Sequence, residues 1–301
     1  MRAVVVTGYG GVDKLELRDV PEPSAGPGEV KVRLAASSVN PIDFKLRSGV
    51  YRQLRPLEFP VILGRDASGE VVAVGKGVGS VRVGERVLGL VNRAYAEYVV
   101  DMEDVWAEVP AAMELVDAAA LPLVTLTGTQ LIEDAVKPGK GELVLVTGAV
   151  GSVGRSAVFA ARALGARVIA GVRQSQREEA ARLNVEVVAL DDEAAIGRLP
   201  RLDSIADTVG GATLQRLLGK VKAGGTVGSV LGEPPGAKER GLIVRAYSVH
   251  ADGQRLGQLA QAVAKGELTI PIAKRLPLEE IREAQTLAEG HIGGKVVLVI
   301  R

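Results

Sequence analysis

Between residues 143 and 154 the chain reads Leu-Val-Leu-Val-Thr-Gly-Ala-Val-Gly-Ser-Val-Gly. An apolar run ends in glycines at 148, 151 and 154, which suits a buried strand turning sharply into a helix. Gly148 permits the turn. Gly151 removes a side chain where backbone must approach a diphosphate, and Gly154 lets the helix lie close on the strand. The backbone of Gly148, Ala149, Val150, Gly151, Ser152 and Val153 would then face an anion at a helix N-terminus, where N–H groups and the helix dipole favour negative charge. The spacing is G-x-x-G-x-x-G, not the commoner G-x-G-x-x-G. Taken alone it also fits a glycine-rich turn that binds nothing, so the flanking elements must supply the weight.

The next apolar run, Arg167 to Val172, is followed by Arg173-Gln174-Ser175-Gln176-Arg177. Sites for NAD place an Asp or Glu on the ribose at this point, and none is present at this tip. Arg173, Ser175 and Arg177 instead offer positive charge and donors suited to a 2′-phosphate, which points to NADPH. The two arginines are equally compatible with solvated positions at a helix start.

Other chemistries are excluded by composition. The chain has no cysteine and two histidines, His250 and His291. Disulfides, cysteine nucleophiles, Cys-ligated zinc and three-His metal sites are therefore out of reach. Its 37 basic and 36 acidic residues form no long run of one sign, so no nucleic-acid stripe is expected. Apolar stretches are shorter than a membrane span and residues 1–3 lead straight into a strand-like segment, so no membrane contact and a cytoplasmic location are expected.

The elements that must hold the glycine loop follow from periodicity. The first hundred residues read as short strands (Ala3 to Thr7, Glu29 to Ala36, Glu70 to Val74, Arg86 to Leu90, Ala96 to Val100) punctuated by Pro and Gly, an irregular β domain. Near residue 115 the texture changes. Helical patterns appear from Asp117 and from Thr127 to Ala135, and strands then alternate with helices. The strands are Leu143 to Thr147, Arg167 to Gly171, Val185 to Leu190, Ser204 to Asp207 and Thr226 to Leu231. The helices are Ser152 to Leu164, Arg177 to Leu183 and Thr213 to Val221. This alternation predicts an α/β fold with a doubly wound parallel sheet. After a strand at Leu242 to Val249 and helices at Arg255 to Lys265 and Leu278 to Glu289, a closing strand at Lys295 to Ile300 is expected to return to the N-terminal domain.

With these residues placed, the chain resembles the zinc-free quinone oxidoreductase branch of the medium-chain dehydrogenase/reductase superfamily. The resemblance rests on Ser38-Val39-Asn40-Pro41-Ile42-Asp43 running to Gly49-Val50-Tyr51, on Pro60 to Gly69 with its Gly64-Arg65-Asp66-Ala67-Ser68-Gly69, on Val83 to Val87, on Asp207 to Gly211 and on Gly293 to Leu298. The Arg-Asp-x-Ser-Gly version is similar to reticulon-4-interacting-protein-like members. Residues 90–95 and 190–203 are shorter than the family pattern, and Ser152 replaces a usual glycine.

The resemblance implies a GroES-like, mostly β substrate domain at residues 1–115 and 250–301, interrupted by a Rossmann domain at 116–249. It also implies a cleft between them and a homodimer, for which Thr226 to Leu231 and Leu242 to Val249 could supply a shared edge. Arg65-Asp66 stands where zinc-dependent relatives carry His-Glu. Asn40 and Tyr51 are expected near nicotinamide and substrate, Tyr51 as proton donor or as pocket wall. Thr127, Thr208, Gly228, Ser229, Val230, Leu231 and Lys295 are expected to contact the cofactor. The implied activity is hydride transfer from NADPH to a quinone or other conjugated carbonyl. An alkenal or enoyl double-bond reductase and a low-turnover NADPH-binding regulator remain as alternatives.

Overall fold

A computed structural model of the chain describes residues 1–300. The chain forms two compact units, Met1–Leu123 with Ala251–Arg301, and Val124–His250. The first crossing lies after Leu123, later than residue 115, because the short helix at Leu115–Ala118 packs on the β unit: Ser68 Oγ donates to Leu115 O at 2.6 Å.

The first unit opens with β1 (Arg2–Val6), β2 (Leu15–Asp19) and the long β3 (Glu29–Val39). In β3, Val30, Val32 and Leu34 face the core, while Arg33 faces solvent, the two-residue alternation of a half-buried strand. Helix α1 (Pro41–Ser48) follows, started by Pro41 and by Asp43 reaching back to the Asn40 N–H, and stopped by Gly49 in the left-handed region at φ 84°. Then come β4 (Val61–Ile62), β5 (Asp66–Val74), β6 (Arg86–Leu90), β7 (Tyr98–Met102), β8 (Trp106–Glu108) and α2 (Leu115–Ala118).

The chain enters the second unit through α3 (Pro122–Gln130), which runs on as a π-helical stretch, Leu131–Val136. From Leu115 to Val136 the sequence is long and apolar enough to cross a membrane, with mean hydropathy 1.5, but 78% of that window is buried inside the protein, as in a core helix. Six strands follow: β9 (Leu143–Thr147), β10 (Arg167–Val172), β11 (Glu186–Ala189), β12 (Leu202–Asp207), β13 (Val221–Ser229) and β14 (Ile243–Ala246). The helices between them are α4 (Ser152–Ala163), α5 (Arg177–Ala181), α6 (Glu193–Arg198) and α7 (Gly211–Leu217). The strands pair in the order β11-β10-β9-β12-β13-β14, every pair parallel. Strand order reverses at β9, so the crevice beyond the carboxyl ends of β9 and β12 is the topological switch point where such sheets bind ligands.

The chain returns to the first unit through α8 (Gly253–Ala264), β15 (Ile272–Pro277), α9 (Ile281–Glu289) and β16 (Lys295–Val299). The closing strand lies antiparallel to β3, with Val297 opposite Ser38, as its detour predicted. It completes a seven-stranded sheet, β15-β16-β3-β5-β6-β8 with β7 also on β3, beside a small β2-β1-β4 sheet. Helices α1 and α6 and strands β2, β4, β8 and β15 escaped the sequence reading. Each is short, and β15 carries exposed Lys274 and Arg275 where an apolar face was sought.

Val297 and Leu298 are fully buried. Leu298→Ala should lower unfolding free energy by about 2–5 kcal/mol, the cost of lost apolar burial plus a cavity. Urea denaturation checks this, and a change near zero would mean β16 is not integral to that core.

Candidate functional site

Two groups of residues at strand ends could do chemistry, one in each unit. In the second unit the glycine loop lies between β9 and α4. Gly148 adopts φ 63°, the left-handed conformation that the tight turn requires. A Cβ on Gly154 would stand 2.2 Å from Gly148 O, so α4 can lie this close to the loop only without a side chain there. Gly151 is exposed, and a Cβ on it would meet only Gly148 O, at 3.2 Å, so its outer side is open.

The first bond of α4 runs from Arg155 N–H to Gly151 O. The N–H groups of Ser152, Val153 and Gly154 are thus left without intrahelical acceptors. The Ala149 N–H is spent on Gly171 O at 3.2 Å and the Gly151 N–H on Gly148 O at 2.9 Å. Arg155, unremarked in the sequence, braces the loop from behind. Its Nε donates to Val150 O at 2.8 Å and its Nη2 to Glu179 at 2.5 Å.

The neighbouring strand ends are tied by one buried carboxylate. Asp207 Oδ1 accepts from Thr147 Oγ1 at 2.8 Å, Gly210 N–H at 3.0 Å and Val209 N–H at 3.2 Å, and Oδ2 accepts from Ser229 Oγ at 2.8 Å. The carboxylate therefore joins β9, β12 and β13 at the rim where a ligand would sit. The expected contacts shift accordingly. The Thr208 hydroxyl donates to Thr147 O at 2.7 Å, and Ser229 Oγ also accepts from Leu231 N–H at 3.1 Å, so both side chains are turned into the rim. Gly228 faces the opposite way: a Cβ there would press on Val136 and Leu131 of the π-helical stretch. Thr127 is buried, Val230 half-buried and Leu231 exposed.

Past the tip of β10, Arg173, Ser175 and Arg177 are all exposed, and among the described residues neither guanidinium is paired with a carboxylate. The sequence reading missed Asp191, just beyond β11, whose Oδ1 accepts the Gln174 N–H at 2.8 Å and so brings an acid to the same turn.

In the first unit, β3, β5 and β16 bring Ser38, Asn40, Asp66 and Lys295 together in the interior. Asp66 and Asn40 are fully buried and Lys295 is 5% exposed. Asp66 Oδ2 accepts from Ser38 Oγ at 2.5 Å, Asn40 Nδ2 at 2.7 Å and Lys295 Nζ at 3.2 Å, while Oδ1 takes the Leu123 N–H at the start of α3, at 2.7 Å. Lys295 also donates to Asn40 Oδ1 at 2.5 Å and to Val39 O at 3.1 Å.

All three donors of the ammonium are used, which corrects the expectation that Lys295 reaches cofactor phosphate or ribose. Both ends of the Asn40 amide are likewise engaged, Nδ2 also meeting Ser38 O at 3.4 Å, so no donor is left for a substrate carbonyl. Burying a carboxylate demands such compensation. Tyr51 differs: it sits half-buried in the turn after α1, with Lys45 Nζ 5.8 Å from its ring centroid.

Asp43, beside this group, accepts from Tyr95 Oη at 2.7 Å and from the Asn40 N–H at 2.8 Å. Burial pushes its carboxyl up from 3.8 to about 6, against those two bonds. The same burial, with the adjacent Asp43 charge, pushes the Tyr95 hydroxyl well above 10.

Residues 26–111 match the model of the alcohol dehydrogenase GroES-like domain, and residues 185–298 match that of zinc-binding dehydrogenase. Over 97% of both chains the sequence is 31% identical to a quinone oxidoreductase of Pseudomonas aeruginosa. The chain belongs to the quinone oxidoreductase branch of the medium-chain dehydrogenase/reductase superfamily. It is also 36% identical to a chloroplastic quinone-oxidoreductase homolog of Spinacia oleracea over 54% of this chain, a match that spans about half, 52%, of that relative. Among solved structures, the quinone oxidoreductase of Coxiella burnetii superposes with TM-score 0.89 at 26% identity, covering 100% of this chain and 99% of that one. A mycobacterial protein complexed with NADPH superposes with TM-score 0.84 at 28% identity, covering 99% and 100%.

The zinc named in the second family description does not fit the residues present. The chain has no cysteine. Among the described residues no three His, Asp or Glu side chains converge to hold a metal. Asp66 already faces the Lys295 ammonium.

Asp43 supplies a pH test. Its folded-state pKa lies above the unfolded value, so the folded chain holds the extra proton between pH 3.8 and about 6. Its stabilisation is full below that window and is lost as pH rises through it. Wild type minus Asp43→Asn should therefore lose about 1–3 kcal/mol of unfolding free energy from pH 4 to pH 7. A difference that is flat or rises with pH would contradict the assignment.

Proposed function

We propose that the protein is an NADPH-dependent oxidoreductase that reduces a quinone or another conjugated carbonyl without a metal ion. The observation that carries this reading is the rim of the six-stranded sheet: open Gly151, three free N–H groups at the start of α4, and the unpaired Arg173 and Arg177 beside Ser175. Residues of this kind suit a diphosphate on the helix start and a 2′-phosphate at the β10 tip. When bound, the reduced nicotinamide supplies a hydride. The relatives described as quinone oxidoreductases support the acceptor class, and the neighbour complexed with NADPH supports the cofactor.

The protein's own groups have defined tasks in this reading. Ser152, Val153 and Gly154 donate N–H bonds to phosphate oxygens. Asp207 holds the ends of β9, β12 and β13 at fixed spacing, so that the rim need not reorganise on binding. Among the described residues no three side chains converge to hold a metal, and in this reading that places a demand on the acceptor. Negative charge develops on its oxygen, and no Lewis acid is there to take it. A conjugated carbonyl spreads that charge over its own framework, which a simple ketone cannot do. Tyr51 is the acid or wall that faces it. The unpaired edge of β14, with Ile243 46% exposed, supports a homodimer built on strand pairing.

Asp191 favours a second reading, NADH, since a carboxylate near this turn could receive ribose hydroxyls. The cofactor question is decided by kinetics with both coenzymes. NADPH should give the higher kcat/KM, and Arg173→Glu with Arg177→Glu should cut that preference about tenfold or more while leaving NADH turnover nearly intact. A higher kcat/KM with NADH in the wild type would overturn the NADPH assignment.

Tyr51→Phe separates acid from wall. A fall in kcat of about 10²-fold or more marks a proton donor. Unchanged kcat and KM remove Tyr51 from the chemistry.

A further inference from the structure

Beyond the carboxyl ends of β12 and β13 the second unit holds a cavity of about 350 Å³, within the range of small-molecule sites, about 300–1,000 Å³. Its walls are apolar: Leu214 from α7, and Leu231, Pro234 and Pro235 from the loop after β13. Leu231, 44% exposed, lies against Gly210, where a Cβ would stand 2.9 Å from its Cδ1. The loop is held in place. Gln215 Nε2 on α7 donates to Pro235 O at 2.9 Å, Leu231 N–H donates to Ser229 Oγ at 3.1 Å, and Lys238 pairs with Glu233 at 2.6 Å.

The same bonds engage polar groups that line the cavity. Ser229 Oγ donates to Asp207 Oδ2 and the Gly210 N–H to Asp207 Oδ1, so the floor of the cavity is the rim that this carboxylate ties. An occupant therefore meets chiefly aliphatic carbon. Its position follows from strand order. In the proposed reading the 2′-phosphate lies at the β10 tip and the diphosphate at the start of α4, beside β9. The order β11-β10-β9-β12-β13-β14 then leaves one direction for the remaining half of the cofactor, toward β12 and β13. The acceptor meets the nicotinamide at that end, next to the cavity.

We propose that this cavity takes an aliphatic substituent of the acceptor, which makes the protein selective for lipophilic quinones that carry an alkyl chain. Leu214, Leu231, Pro234 and Pro235 bury the chain, while the conjugated ring stays at the rim. The proposal rests on the redox reading for the place of the acceptor. It adds what that reading leaves open, the feature by which one conjugated carbonyl is chosen over another. A hydrophobic wall discriminates through the area it covers, so each methylene that enters adds to affinity until the space is full.

The test is titration calorimetry of the full chain, with NADP present so that no turnover occurs, against para-benzoquinones bearing methyl, butyl or hexyl chains. Affinity should rise about twofold to fourfold per methylene and level off when the chain fills the cavity. Leu231→Asp and Pro235→Asp each put a charge in the apolar wall and should each weaken hexyl binding about tenfold or more. Val83→Asp, at an exposed valine of the first unit, should bind like wild type. Affinity independent of chain length overturns the proposal, as does a rise that both wall variants keep. Wall variants that weaken NADP binding and spare the chain effect would give the cavity to the cofactor. A dimer that Leu231→Asp converts to monomer, with the chain effect intact, would give it to a second copy, and either result overturns the proposal. Turnover of unsubstituted para-benzoquinone with NADPH tests the redox reading separately. Chain-dependent binding without turnover would remove that reading and keep the cavity assignment, and turnover without a chain effect would do the reverse.

Discussion

The first unit is organised around a carboxylate that water never reaches. Asp66 is fully buried, and a bare carboxylate there would cost several kcal/mol. Three elements distant in sequence meet that demand: Ser38 and Asn40 from the end of β3, Lys295 from the start of β16, and the N–H of Leu123 as α3 begins. The pairing of β16 with β3 and the position of Leu123, the last residue of this segment of the unit, are therefore coupled to one charge. Asp43 and Tyr95 extend the polar interior to α1, whose start the same Asp43 caps.

The second unit applies the same device at its rim. Asp207 accepts four hydrogen bonds and in doing so joins the ends of three parallel strands. A rim fixed in this way presents the loop at Gly148–Gly154 as a preformed surface. Arg155 completes it by holding the Val150 carbonyl from behind. The hydroxyls of Thr208 and Ser229 are committed inward, to Thr147 O and Asp207 Oδ2.

Much of this architecture was legible in the residues. The strand Leu143–Thr147, the turn at Gly148, the close approach at Gly154 and the return of the last strand all follow from local rules about glycine, apolar periodicity and strand order. Side-chain roles were less legible, since they depend on partners far away in sequence. Nothing near Lys295 announces that its three donors will find Val39, Asn40 and Asp66. The same holds for Asn40, whose amide reads as available until its neighbours are known. Asp191 was passed over because it follows β11, and only the parallel pairing of β10 with β11 carries it to the tip of the neighbouring strand.

The discontinuity of the first unit has a consequence for how the chain emerges from the ribosome. Asp66 is synthesised long before Lys295, so a nascent chain has the anion without its cation through the whole translation of the second unit. The second unit, continuous from Val124 to His250, can fold in that interval from its own residues. The unit that comes first in sequence is then the last to close, and its final sheet can set only when the ammonium arrives.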